Sequence, residues 1–256
     1  MNLIFNPELV RNYKSSSQKI RVLTENWVDE EIFCPNCGYS DINKYPNNQP
    51  VADFYCSNCK EDYELKSKNG DIGAKILDGA YNTKIERLRG NSNPNLFVLN
   101  YNSSNLSVLN FFIIPKHFFV PEIIERRKPL ADTARRAGWI GSNILLNRVP
   151  ESGKIFLIRQ QKVEPKNKVI FEWKKTLFLR EENEISAKGW LLDVMGCIEK
   201  LGKKNFYLDE IYAFEGDLKN KHPDNNFIKD KIRQQLQILR DKGYLSFIDK
   251  GKYKLN

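Results

Sequence analysis

At 256 residues the chain is long enough for two ordinary domains of about 150 residues or fewer, and with 41% hydrophobic and 12% aromatic residues it can bury a core. Charged residues make up 29%, and no apolar run approaches the ~18 residues of a spanning helix, which excludes a membrane protein. The net charge of +9 favours an anionic partner such as a phosphate polymer, while two isolated histidines, His117 and His222, disfavour Ser-His-Asp or Cys-His chemistry and leave carboxylates to carry any reaction.

The start, Met1 to Pro7, lacks the basic-then-apolar order of a secretory signal, so a cytoplasmic location is expected. Leu9, Val10 and Tyr13, then Ile20, Leu23 and Trp27, recur at three- and four-residue steps and predict an opening helix. From Phe33 to Lys68 the signals are cysteines, turns and short alternating runs. The spacing of Ile76, Leu77, Ala80, Ile85 and Leu88 predicts a helix over Lys75–Arg89, broken by the GNSNPN segment at 90–95. Strands are predicted over Leu96–Tyr101, Val108–Ile114 and Lys154–Arg159, with a basic stretch from Glu125 to Gly141 between the last two. This alternation implies a mixed α/β core, with a domain boundary near Asn183.

Beyond it, Trp190, Leu191, Val194, Met195, Ile198 and Leu201 form one apolar stripe, with Cys197 as part of the core. Leu208, Ile211, Tyr212 and Phe214 suggest a second helix. The third buries Ile228, Ile232, Leu236 and Leu239 and carries Lys229, Arg233, Gln234, Gln237 and Arg240 on other faces, with Gly243 as its cap. YLSFIDKGKYKL then reads as a hairpin, so residues 183–256 are expected to be a mainly α winged helix whose third helix enters the major groove. A small helical partner-binding module has the same stripes.

Cys34 and Cys37, and Cys56 and Cys59, are two C-x2-C pairs with 18 residues between them, the spacing of a zinc site. Four thiolates fill a tetrahedral shell, so a structural rather than catalytic Zn²⁺ is expected. The second pair is flanked by VADFY at 51–55 and EDYELKSK at 61–68. Strand alternation places Glu64 and Lys66 on one face, and a neighbouring strand can bring Asp53 to it. Two carboxylates there offer hard oxygens to Mg²⁺, and the ammonium can orient an attacking water. Glu164-Pro-Lys166, Glu172-Trp-Lys174 and Asp217-Leu-Lys219 repeat the acid-x-Lys triplet, but none follows a strand with its own Asp.

The stretch VADFYCSNCKEDYELKSK resembles the metal-dependent nuclease motif of the PD-(D/E)XK superfamily, with Ala52-Asp53 where the motif has Pro-Asp and a zinc knuckle between the acidic elements. PVADFYC, RKPLADTARRAGWIGSNI, FLR before the boundary and KIRQQLQILRDK are similar to the DpnI family of methyl-directed restriction endonucleases, and the likeness runs end to end. It implies a restriction-endonuclease-like core over 1–182 followed by the winged helix over 183–256. The implied activity is double-strand cleavage at GATC sites carrying 6-methyladenine, with Asp53, Glu64 and Lys66 as catalytic residues, Asp53 and Glu64 on magnesium, and the four cysteines on zinc. The likeness also implies that both domains recognise methylated DNA.

In TARRAGWIG, Arg135 and Arg136 are candidates for phosphate or guanine contacts, and Trp139 presents a ring to a base or methyl group or else anchors the loop. In the third helix, Gln234 and Gln237 can read adenine while Arg233 and Arg240 read guanine or phosphate; Gln235 and Lys231 serve equally well because the helix phase is only approximate. The expected protein is therefore a monomeric, Mg²⁺-dependent type II endonuclease acting on adenine-methylated duplex DNA. The rivals are a zinc-containing winged-helix transcription regulator that does not cleave, and a nuclease for RNA or damaged DNA.

Overall fold

A computed structural model describes residues 1–46, 52–90, 92–182 and 184–256. Val51, Asn91 and the expected boundary residue Asn183 lie outside the described residues. The chain forms two compact units, one of residues 1–147 and 152–174, the other of residues 148–151 and 175–256.

The first unit opens on α1 (Ser16–Glu31), preceded by a separate 3-10 turn at Pro7–Val10, so the predicted opening helix is divided. There follow β1 (Asn43–Lys44), β2 (Phe54–Tyr55), β3 (Asp62–Asn69), β4 (Lys75–Ala80), α2 (Tyr81–Arg89), β5 (Asn95–Asn102) and β6 (Ser107–Ile114). After these come β7 (Ile124–Arg126), β8 (Gly141–Leu145), β9 (Ile155–Arg159), β10 (Lys162–Val163) and α3 (Lys166–Lys175). The main sheet has the order β1-β2-β3-β5-β6-β9-β10, and a smaller one the order β4-β8-β7.

All but the last residue of β5 is buried, as expected of a strand covered on both faces. Trp27 of α1 meets Phe111 of β6 edge-on at 5.4 Å between centroids, and Phe97 of β5 lies 5.0 Å from the same Phe111. This aromatic layer fixes α1 on the sheet.

β2 and β3 are antiparallel, pairing Phe54 with Tyr63, whereas β3 and β5 run parallel, pairing Lys66 with Val98. Parallel neighbours require a crossover connection. Here it is made of β4 and α2, which occupy Lys75–Arg89, where periodicity predicts one helix. Ile76 and Ala80 suit a strand facing the core as well as a helix, and the register of β4 against β8 slips between Asp78 and Ala80, leaving Gly79 as a bulge.

The second unit contains α4 (Ile185–Lys200), β11 (Asn205–Tyr207), α5 (Leu208–Tyr212), α6 (Glu215–Lys221), α7 (Ile228–Asp241), β12 (Leu245–Asp249) and β13 (Lys252–Leu255). The mixed α/β core followed by a helical C-terminal domain is as expected. The predicted second helix is two short ones, and β11 makes the predicted hairpin a three-stranded sheet ordered β11-β13-β12. Among the described residues no helix is long and apolar enough to cross a membrane.

Candidate functional site

The two cysteine pairs fold into matching knuckles. In the first, the Cys34 amide donates to the Tyr39 carbonyl and the Gly38 amide to the Cys34 carbonyl; in the second, Cys56 and Lys60 repeat the pattern against Glu61 and Cys56. Gly38 and Lys60 occupy the same position, and both have positive φ, 76° and 59°. Only Gly adopts this region without cost, so the second knuckle accepts strain at a lysine to keep the geometry.

The four Sγ atoms lie within 4.8 Å of one another, a group that can hold a metal ion. Cys34 and Cys59 approach to 3.5 Å and Cys37 and Cys56 to 3.7 Å. Those separations are far above the ~2.05 Å of a disulfide, and match the edge of about 3.8 Å for a tetrahedron of sulfurs 2.3 Å from zinc. Burial opposes ionisation of Cys37, yet the Asn58 amide, 3.4 Å from its sulfur, and the Tyr39 backbone amide bring it down to about 7. Soft sulfur donors in a closed set fit zinc.

The second knuckle is also the turn that joins β2 to β3, because Cys56 follows Tyr55 and Glu61 precedes Asp62. Its pairing fixes where Asp53, Glu64 and Lys66 fall. The Asp53 amide donates to the Tyr63 carbonyl, and the Leu65 amide donates to Asp53 Oδ2 at 2.7 Å, so the carboxylate lies against the strand bearing Glu64 and Lys66. Burial pushes the Asp53 carboxyl up, and the nearby Glu64 and Glu25 add to this against the lowering effects of the Leu65 amide and Lys66. A carboxylate raised in this way is stabilised by a cation.

Lys66 Nζ sits 2.7 Å from Glu64 Oε1 and 3.1 Å from Asp78 Oδ1. Burial would lower its pKa, but Glu64 and Asp78 hold it above the usual lysine value, so it stays an ammonium. Asp78, at the bulge of β4, and Lys84, on α2, have no place in the sequence-derived site. Read as part of one long helix, Lys84 falls on the apolar stripe, four residues from both Ala80 and Leu88. The available signal was Gly79, an unfavourable residue within a helix and a common mark of a bulge.

The remaining candidates lie elsewhere. In the first unit a loop between β7 and β8 is closed by bonds from Leu130 to Trp139 and from Gly138 to Leu130. Arg135 and Arg136 are exposed and line an open pocket with Leu130 and Ala134. The Arg136 guanidinium stacks 4.6 Å above the half-buried Trp139 ring, which lies so close to Gly141 that a Cβ there would stand 2.8 Å from it. That ring anchors its own loop.

In the second unit, α7 buries Ile228, Ile232, Leu236 and Leu239 and exposes Lys229, Arg233, Gln234, Gln237 and Arg240. Gln235 is buried, which removes it from the groups able to reach a partner. Arg233 is held by the Tyr212 hydroxyl, and Arg240 lies 2.7 Å from Asp241. Residues 186–255 match the model of the Dam-replacing helix-turn-helix domain, and residues 1–182 match that of the Dam-replacing family named for DpnI. The match of the longer segment spans well over half of the chain, which therefore belongs to the DpnI, Dam-replacing family.

Proposed function

We propose that the chain is a methylation-dependent type II restriction endonuclease that cuts double-stranded DNA at GATC sites carrying 6-methyladenine. The observation that carries this reading is the meeting of Asp53, Glu64 and Lys66 across the β2–β3 pairing in a member of the DpnI family. The carboxylates of Asp53 and Glu64 are the hard oxygen donors that suit Mg²⁺ rather than zinc. Bound there, the cation supplies polarisation of the scissile phosphate and a water of lowered pKa.

The chain's own groups do the rest. The Leu65 amide fixes one oxygen of Asp53, leaving the other for a ligand. Lys66, held as an ammonium, offsets charge on a phosphate oxygen and orients the attacking water. Half-burial of the site strengthens these interactions relative to bulk water. Residues 1–182 act as the nuclease domain with structural zinc, and residues 183–256 as a winged helix presenting Lys229, Arg233, Gln234, Gln237 and Arg240 to the major groove. Arg135 and Arg136 add phosphate contacts. The protein acts as a monomer in the cytoplasm.

The test is digestion of adenine-methylated and unmethylated plasmid in Mg²⁺ and in EDTA. Cutting of the methylated plasmid in Mg²⁺ alone is expected. A regulator would shift DNA in both buffers and cut it in neither, and cutting that ignores methylation would overturn the specificity. Preference for RNA or damaged duplex in a substrate panel would replace the substrate class.

A further inference from the structure

Four buried or half-buried charges next to Asp53 form a closed ring of alternating sign. Glu64 Oε1 contacts Lys66 at 2.7 Å, Lys66 contacts Asp78 Oδ1 at 3.1 Å, Asp78 Oδ2 contacts Lys84 at 3.2 Å, and Lys84 returns to Glu64 Oε2 at 3.6 Å. Each carboxylate uses both of its oxygens, one on each ammonium. The side chains of Asp78 and Lys84 are only 3% and 5% exposed, so neither charge is an incidental surface group. Buried ion pairs of this kind add little net stability over apolar side chains of the same size, and a role in the site accounts better for their being there.

We propose that Asp78 and Lys84 are positioning residues that hold Lys66 and Glu64 in the orientation required for cleavage. This rests on reading Asp53, Glu64 and Lys66 as the cutting site. An ammonium anchored by Glu64 alone would follow that carboxylate whenever it turned toward a cation. Asp78 supplies a second anchor that no such turn disturbs. The bulge at Gly79 aims Asp78 at Lys66, in the way bulges re-aim side chains beside active sites. Lys84 comes from α2, so the crossover between the parallel strands is what delivers both residues to the face of β3 that bears Glu64 and Lys66.

Removing Asp78 alone strands two buried ammoniums and invites misfolding. The informative protein is the full-length double variant Asp78→Asn/Lys84→Met, which leaves the net charge of the site unchanged. Its melting temperature, its affinity for methylated duplex in EDTA, and its single-turnover cleavage rate in Mg²⁺ with enzyme in excess are compared with wild type. Because misplacement of a reacting group by about 1 Å costs about 100-fold in rate, we expect cleavage to slow by roughly that factor while affinity in EDTA stays within about twofold. Cleavage within about threefold of wild type overturns the proposal, and so does a loss of DNA affinity in parallel with rate, which marks the ring as a structural element only. A Lys66→Met control separates the two readings. If it cuts normally, the site assignment falls and this inference with it; if it is inactive while the double variant cuts normally, only the inference falls.

Discussion

Replacing Tyr63 with Phe deletes a single oxygen from a fully buried ring and keeps the ring's stack on Phe97 at 4.7 Å. The deleted atom is the hydroxyl that lies 3.0 Å from Cys34 Sγ. Burial, reinforced by the neighbouring sulfur, pushes that hydroxyl above the usual phenol range, so it keeps its proton and is the donor once zinc holds Cys34 as a thiolate against the burial that otherwise keeps it a thiol. A hydrogen bond to a charged group contributes about 1.5–3 kcal/mol. Loss of a partner that orients a metal ligand lowers metal affinity by about 10–100-fold, or roughly 1.4–2.8 kcal/mol. The two routes agree, and we expect zinc affinity of Tyr63→Phe, measured by competition with a chromophoric chelator, to fall within that range. Since the affinity change reappears as stability in the metal-bound state, denaturant unfolding should separate the two proteins in zinc and bring them together in EDTA. Unchanged chelator competition, or an equal stability loss with and without zinc, would refute the donor role of Tyr63.

Asp53→Ala and Lys66→Ala should each slow cleavage by on the order of a thousandfold, about 4 kcal/mol of transition-state stabilisation, with binding in EDTA largely retained; wild-type cutting by either variant removes the site assignment. Burial raises the pKa of Asp78, but Lys84 and Lys66 outweigh it and bring the carboxyl from 3.8 to about 2. A depressed folded value gives stability that is present above the unfolded pKa and lost as pH falls through the folded one. Wild type should therefore lose about 2 kcal/mol more than the double variant Asp78→Asn/Lys84→Met between roughly pH 5 and pH 2 in denaturant titrations, and parallel acid profiles would contradict the ion pairing. Residues 175–256, produced alone, should fold and bind GATC duplexes with up to about tenfold preference for methylated adenine, since burying each of two methyl groups contributes at most about 0.8 kcal/mol. Equal titrations of methylated, hemimethylated and unmethylated duplexes would place discrimination in the nuclease domain.

The cysteine cluster was legible because metal ligands must recur at fixed short spacings, and strand alternation was enough to put Glu64 and Lys66 on one face. The paired strands of the core, β5 and β6, were legible from continuous apolar runs. What escaped was the crossover. Over Lys75–Arg89 the apolar residues fit a helix of period 3.6, while the chain is a strand with a bulge followed by a helix. The parallel pairing of β3 with β5, a contact distant in sequence, decides between them. Asp78 and Lys84 were lost with that decision, since a buried ring of charges leaves no periodic trace. Gln235 illustrates the same limit on a finer scale, because one position of helix phase separates a buried side chain from a presented one.

The knuckle of Cys56–Glu61 is a ruler as well as a turn. Because it connects β2 directly to β3, its length sets which residue stands opposite Phe54, and a shift of one position would exchange the faces of every side chain that follows. Leu65 would then stand where Glu64 stands. Insertions or deletions between Asp53 and Glu64 should thus be as damaging as loss of the carboxylates themselves, even where they spare every cysteine. The number of residues from one acid to the next is thus set by a turn built on a cysteine cluster that can hold a metal ion.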